Sequence, residues 1–137
     1  LKSVIEMVSS QFDYVVIDGE AGVEQINRRV MEKVTHLLLV TDASRKGIEV
    51  IQTIHDLAAD MIEFDRVGCV FNRIETTIEK NIDPIEVLGM IPSDPNIIHF
   101  DVEAKNFMDL PNDTVAVSKL NEILKKFQII TDEENSK

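Results

Sequence analysis

A carboxylate and a glycine follow the first apolar run of the sequence. Asp18 comes directly after Tyr14–Ile17, and Gly22 lies four residues further on. A carboxylate at the tip of a buried strand can hold Mg²⁺ directly or through water, and a glycine lets a phosphate approach the backbone because it has no Cβ. The same two residues could also be only a turn former and the first residue of a helix. The residues at the other strand ends are therefore needed to tell whether Asp18 and Gly22 belong to a site for phosphate and magnesium.

Three more apolar runs end in polar, turn-forming residues. The runs cover residues 37–40, 67–71 and 87–91, and they are followed by Thr41–Arg45, Asn72–Arg73 and Pro92–Pro95. In an open parallel sheet the carboxyl ends of the strands lie at one edge, where ligands bind. Polar turns follow most strands in α/β proteins, so these segments could equally be ordinary turns. We predict that all of them share one edge with Asp18.

The elements that position these residues are strands and helices in alternation. The four runs are apolar on both faces, which is typical of a parallel sheet covered by helices on both sides. Helical spacing of apolar residues predicts helices over 23–34, 48–62 and 113–129. The connection from Arg73 to Pro84 has room for one or two helical turns at most, and its last four residues predict a turn. We expect an α/β fold in one domain, residues 1–130, and a polar tail, 131–137.

The composition excludes several classes of protein. The formal net charge of −11 argues against wrapping nucleic acid or lying on an anionic membrane, and no apolar run is long enough to span a bilayer. Cys69 is the single cysteine, so an intrachain disulfide is impossible and a reducing, cytoplasmic location is expected. The three histidines lie far apart in sequence, and a zinc or nickel site held by this chain is not expected.

Four segments resemble one family in order and spacing. Residues 12–29, reading FDYVVIDGEAGVEQINRR, resemble a stretch of the carbon monoxide dehydrogenase maturation ATPases, a branch of the P-loop ATPases that includes MinD, ParA and the nitrogenase iron protein. Residues 37–50, 70–73 and 88–94 resemble the segments that follow in that family. The resemblance implies an incomplete three-layer sandwich of the P-loop NTPase type.

The resemblance also implies roles for individual residues. Asp18 would coordinate Mg²⁺ or its water, and Gly22 would lie in the loop that senses the γ-phosphate. Asp42 and Ser44 would have a structural or switch role. Four residues would surround the adenine base of ATP: Asn72, which would hydrogen-bond its edge, with Arg73, Pro92 and Asp94. ATP would close a homodimer, and the client would be a metalloenzyme that receives nickel or an assembled cofactor.

The sequence departs from that family at its defining motif. The phosphate loop G-K-G-G-x-G-K-T is absent, since none of the five glycines is followed by lysine, and the family's paired cysteines are also missing. Without that loop nothing cradles the phosphates, so we expect the chain alone to be inactive and to be the C-terminal half of an ATPase. The alternative is a non-catalytic interaction module that kept the fold. A phosphoacceptor receiver domain is disfavoured, because the lysine it needs after a late strand is lacking.

Overall fold

The computed structural model of the chain describes residues 7–19 and 33–131. The predicted helix over 23–34 lies almost wholly outside these residues, as does the predicted tail. In chain order the elements are β1 (Lys33–Thr41), α1 (Arg45–Met61), β2 (Glu63–Ile74), β3 (Glu86–Pro92), α2 (Pro95–Val102), a 3-10 turn (Phe107–Asp109) and α3 (Val115–Lys126). No helix in the described part of the chain is both long enough and apolar enough to cross a bilayer.

The three strands form one parallel sheet in the order β1-β2-β3. Each strand contains one of the apolar runs at 37–40, 67–71 and 87–91, so the prediction of a parallel α/β sheet is confirmed. β1 begins earlier than its apolar run. It includes Val34, which the sequence placed on a helix, and Val34 pairs with Phe64 of β2. Pairing with a neighbouring strand has overridden the local helical spacing here.

Helices cover both faces of the sheet. On one face, Leu39, Cys69 and Phe71 pack with Ile51 of α1. On the other face, Val70 and Leu88 pack with two residues near the end of α3, Ile123 and Phe127. Successive residues of β2 therefore point to opposite cores, which explains why the strand is apolar throughout. Each large apolar side chain that is fully buried contributes about 1.5–3 kcal/mol relative to exposure.

The connection between β2 and β3 contains no helix. On the face of the sheet that α1 covers, the position of such a helix is taken by Ile82 and Ile85. Both are buried, and they form an isolated bridge with each other. A turn at residues 83 and 84 joins them, as the sequence predicted. Two buried isoleucines thus replace the crossover helix that usually joins parallel strands.

The predicted strand at Tyr14–Ile17 is not observed. These residues have no regular secondary structure, and Val16 is 92% exposed. Their composition suits an interior strand, but a strand forms only where a neighbour satisfies its backbone N–H and C=O groups. The sheet of the described residues places no strand beside this segment. The prediction was wrong because the local pattern cannot show whether a partner is present.

Candidate functional site

The carboxyl ends of β2 and β3 bring three predicted site residues together. Asn72 is paired with Ile91, and Ile74 with Pro92, so Arg73 is an extra residue that bulges from the ladder. The Ser93 amide donates to the Ile74 carbonyl at 3.2 Å, which continues the contact beyond the strands. Asn72, Arg73 and Pro92 therefore share one edge of the sheet, as predicted for a ligand site.

The bulge fixes the orientation of Asn72. The backbone N–H of Arg73 donates to Asn72 Oδ1 at 3.0 Å, and Arg73 has a positive φ of 58°. Residues other than glycine rarely adopt this backbone conformation, which costs them about 1–2 kcal/mol. Asn72 is half-buried. Its NH₂ group could donate a hydrogen bond to the edge of a base, and Oδ1 could accept one through its second lone pair.

Asp94 joins two helices rather than facing open space. Its Oδ1 accepts a hydrogen bond from the Asn96 amide at 2.9 Å, and its Oδ2 accepts one from the Ala116 amide at 3.0 Å. The side chain therefore caps α2 and also satisfies a donor in the first turn of α3, whose own cap residue, Thr114, makes no such bond. The hydrogen bonds from Ala116 and then Asn96 lower the pKa of Asp94. Its predicted place beside the base remains a prediction, and both of its oxygens already have backbone partners.

Asp42 and Ser44 form a tight turn at the end of β1. Asp42 Oδ1 accepts hydrogen bonds from the hydroxyl and the amide of Ser44, at 2.5 and 3.0 Å, and Ser44 Oγ accepts one from the Gly47 amide at 3.0 Å. The Ser44 bonds are the main cause of a lowered pKa of Asp42, with a smaller contribution from the positive charge of Lys80. A Cβ on Gly47 would lie 2.6 Å from Asp42 Oδ1, so glycine lets the helix start close to the strand.

Lys80 also lies at this edge, which the sequence did not predict. Its Nζ donates to the Ala43 carbonyl, 37 residues away in the sequence. The contact ties the β2–β3 connection to the start of α1. No signal in the sequence could have identified it, because the connection carries no motif and the contact is long-range.

Asp18 does not lie at the end of a strand in the structure. Asp18 is exposed and lies in a segment without regular structure, and Gly22 lies outside the described residues. Mg²⁺ takes oxygen ligands, of which this carboxylate could supply one. No group of three or more His, Cys, Asp or Glu side chains that could hold a metal occurs in residues 7–19 and 33–131. A metal at Asp18 would therefore need further ligands from phosphates, water or residues not described.

A cavity of about 490 Å³ opens beside Pro92, between the end of β2, β3 and α3. Its lining combines apolar side chains with hydroxyl and charged groups. The residues that line it include Ile74, Thr76, Thr77, Gly89, Lys119 and Ile123. This cavity could not be predicted from the sequence, because it depends on how α3 packs against β3.

A parallel sheet with helices on both faces and polar strand ends at one edge is the architecture of doubly wound nucleotide-binding proteins. The crystal structure of the cell division ATPase MinD from Pyrococcus furiosus has this fold, with a TM-score of 0.68 and 18% identity. The match covers 95% of this chain and 57% of MinD. The α/β fold is therefore that of MinD.

Sequence comparisons lead to the same group. An uncharacterised ATP-binding protein of Methanocaldococcus jannaschii is 28% identical over 133 residues, which are 92% of this chain and 53% of the relative. The septum site-determining protein MinD of Bacillus subtilis is 25% identical over 109 residues, 72% of this chain and 41% of that protein. No protein-family model matches the chain. The chain is therefore similar in sequence to an ATP-binding protein and to MinD, and it spans about half the length of these relatives.

Proposed function

We propose that the described residues form the adenine-binding part of a nucleotide-binding ATPase of the MinD/ParA class. The observation that carries the proposal is the meeting of Asn72, Arg73 and Pro92 at one edge of a MinD-like sheet. An amide at a strand end can both donate to and accept from the edge of a base. The name of the Methanocaldococcus jannaschii relative, an ATP-binding protein, supports the choice of nucleotide.

The triphosphate would be held elsewhere. A phosphate cradle needs successive backbone amides, a lysine and a hydroxyl, and the sequence lacks that motif. Asp18 and Gly22 would act on Mg²⁺ and the γ-phosphate only when such a loop is present. We therefore expect no ATP hydrolysis by this chain alone and at most weak affinity for adenine nucleotides.

For the whole protein we propose metal-centre assembly on a client of the carbon monoxide dehydrogenase type, with ATP and Mg²⁺ as cofactors and a homodimer as the working state. The support is the resemblance of residues 12–29, of which only 12–19 are described. The comparisons support an ATPase of the MinD class and do not support metal-centre assembly in particular. The competing function is a protein-interaction module that no longer binds nucleotide.

The test is a titration of the ¹⁵N-labelled chain with ATP and, separately, with GTP, followed by nuclear magnetic resonance. This method detects millimolar affinities, which correspond to about 4 kcal/mol of binding free energy. ATP should shift the resonances of residues 71–74 and 92–94, and GTP should shift them less. Asn72→Ala should remove the difference between the two nucleotides.

Gln52→Ala is the matched control, because Gln52 has a similar amide side chain and is exposed in the middle of α1 rather than at a strand end. It should leave the titration unchanged. Absence of any shift at these residues with ATP would contradict adenine binding and favour the interaction module. Equal shifts in the Asn72→Ala variant would remove Asn72 from the site.

A further inference from the structure

The sequence contains a single Asp–Gly pair, Asp18–Gly19, and no Asn–Gly pair. Both residues are exposed and lie in a segment without regular secondary structure. Among the described residues, a Cβ added to Gly19 would meet no neighbouring heavy atom within 4 Å. The peptide bond between Asp18 and Gly19 is therefore uncrowded in the described part of the chain.

An aspartate that precedes glycine can close a five-membered ring with its own main chain. The amide nitrogen of Gly19 attacks Cγ of the protonated Asp18 side chain, and the carboxyl OH leaves with the amide proton as water. Glycine favours this step because no Cβ hinders the nitrogen. Water then opens the resulting succinimide at either carbonyl, which gives aspartate or isoaspartate. One water is lost and one is regained, so no oxidant or reductant is needed.

Two other aspartates each lack one of these conditions. Asp13 is exposed in the same segment, but its neighbour Tyr14 has a Cβ and a ring beside the attacking nitrogen. Asp42 precedes the small residue Ala43, but its Oδ1 accepts hydrogen bonds from the amide and the hydroxyl of Ser44 at 3.0 and 2.5 Å. These bonds lower the pKa of Asp42 and hold its carboxylate in place. An ionised carboxylate that is held in this way is a poor target for ring closure.

We propose that Asp18 is a site of spontaneous isoaspartate formation through a succinimide with Gly19. Isoaspartate has one carbon more in the main chain and one fewer in the side chain, so its carboxylate is displaced. Its free α-carboxyl group is the group that isoaspartyl methyltransferases methylate, so a repair enzyme of this class is the partner of the modified chain. The reaction needs neither nucleotide nor metal, although it would move the carboxylate that is proposed above to act on Mg²⁺.

The test follows the 137-residue chain for several weeks in mildly acidic buffer at physiological temperature. An isoaspartyl methyltransferase with labelled S-adenosylmethionine counts the isoaspartate groups, and mass spectrometry with electron-transfer fragmentation assigns each group to a residue. In water labelled with ¹⁸O, each converted residue should gain one heavy oxygen atom. The reference is a synthetic peptide of residues 16–21. Asp18 should convert within about threefold of the rate in the peptide, since no regular structure shields residues 18 and 19.

Two variants test the ring closure directly. Gly19→Ala adds a Cβ beside the attacking nitrogen and should slow conversion of Asp18 by about tenfold or more. Asp18→Asn forms the same succinimide by releasing ammonia instead of water, and it should accumulate isoaspartate faster than the wild type. Asp13 and Asp42 are internal controls in every sample, and each should convert at least about tenfold more slowly than Asp18. Urea unfolding checks that the variants keep the fold.

Three results would overturn the proposal. Conversion of Asp18 in the chain could be more than about tenfold slower than in the peptide, which would show that residues 18 and 19 are held in an unreactive conformation. Asp13 could convert as fast as Asp18, or Gly19→Ala could leave the rate unchanged. A failed nucleotide titration would leave the result untouched, because no step of the experiment contains nucleotide.

Discussion

At the residue scale, the buried carboxylate of Asp94 holds two helix N-termini at once. It is 6% exposed and accepts one backbone hydrogen bond from α2 and one from α3. Asp94→Asn keeps one acceptor but presents an NH₂ group to the Ala116 amide, which leaves a buried donor unsatisfied. The variant should therefore unfold at lower urea concentration than wild type at pH 7. Asp60→Ala, an exposed change on α1, should have a much smaller effect.

The difference in free energy of unfolding between wild type and Asp94→Asn should change with pH in one direction. The pKa of Asp94 is lower in the folded chain than its ordinary value, so the ionised side chain stabilises the fold above the unfolded pKa. This contribution is lost as the pH falls from about 4 through the folded value. The gap in free energy of unfolding between wild type and Asp94→Asn should therefore shrink between pH 5 and the most acidic pH at which both still fold. A gap that stays constant would show that the charge of Asp94 is not what holds the helices.

Replacing Arg73 should change stability and nucleotide binding in opposite directions. Its φ of 58° is unfavourable for arginine, so Arg73→Gly should raise the free energy of unfolding by about 1 kcal/mol while weakening the response to ATP. Ala104, with φ of 50° after α2, is the matched control. Ala104→Gly should stabilise by a similar amount and leave the titration unchanged. Urea unfolding and the nucleotide titration together check both parts, and a stabilised variant with an unchanged titration would exclude Arg73 from the site.

At the scale of elements, α3 is anchored by Phe127, the C-cap residue that directly follows it. Phe127 is fully buried, its ring centroid lies 4.9 Å from that of His36, and its carbonyl accepts a hydrogen bond from Arg66 Nη1 at 3.1 Å. Phe127→Ala should lower the free energy of unfolding by about 3–5 kcal/mol, because it leaves a cavity between α3 and the sheet. Phe107→Ala, at a ring that is 47% exposed, should cost much less. Equal losses in the two variants would contradict this anchoring role.

The same elements show which features can be predicted from sequence. β1, β2 and β3 contain apolar runs, and α1 and α3 carry apolar stripes, so local patterns sufficed. α2 was missed because none of its residues is buried, and its apolar side chains form no single stripe. That Asn72 and Pro92 lie at the same edge was predicted because the carboxyl ends of parallel strands share one edge of the sheet. The second hydrogen bond of Asp94 could not be predicted, because its partner lies 22 residues away and depends on how α3 packs.

At the scale of the whole molecule, the charge of the chain limits what this edge of the sheet can bind. ATP brings a highly charged triphosphate, and the chain carries a net charge of −11. Of the basic residues described at the edge, Arg45 pairs with Glu49 at 2.9 Å and Lys80 donates to the Ala43 carbonyl beside Asp42, whereas Lys46 and Arg73 are exposed. These two exposed cations replace neither the successive backbone amides nor the hydroxyl of a phosphate loop, so the edge suits an uncharged base better than a triphosphate. Base recognition and phosphate binding would then belong to different parts of the fold, and joining them would strengthen binding by raising the effective concentration of one site for the other.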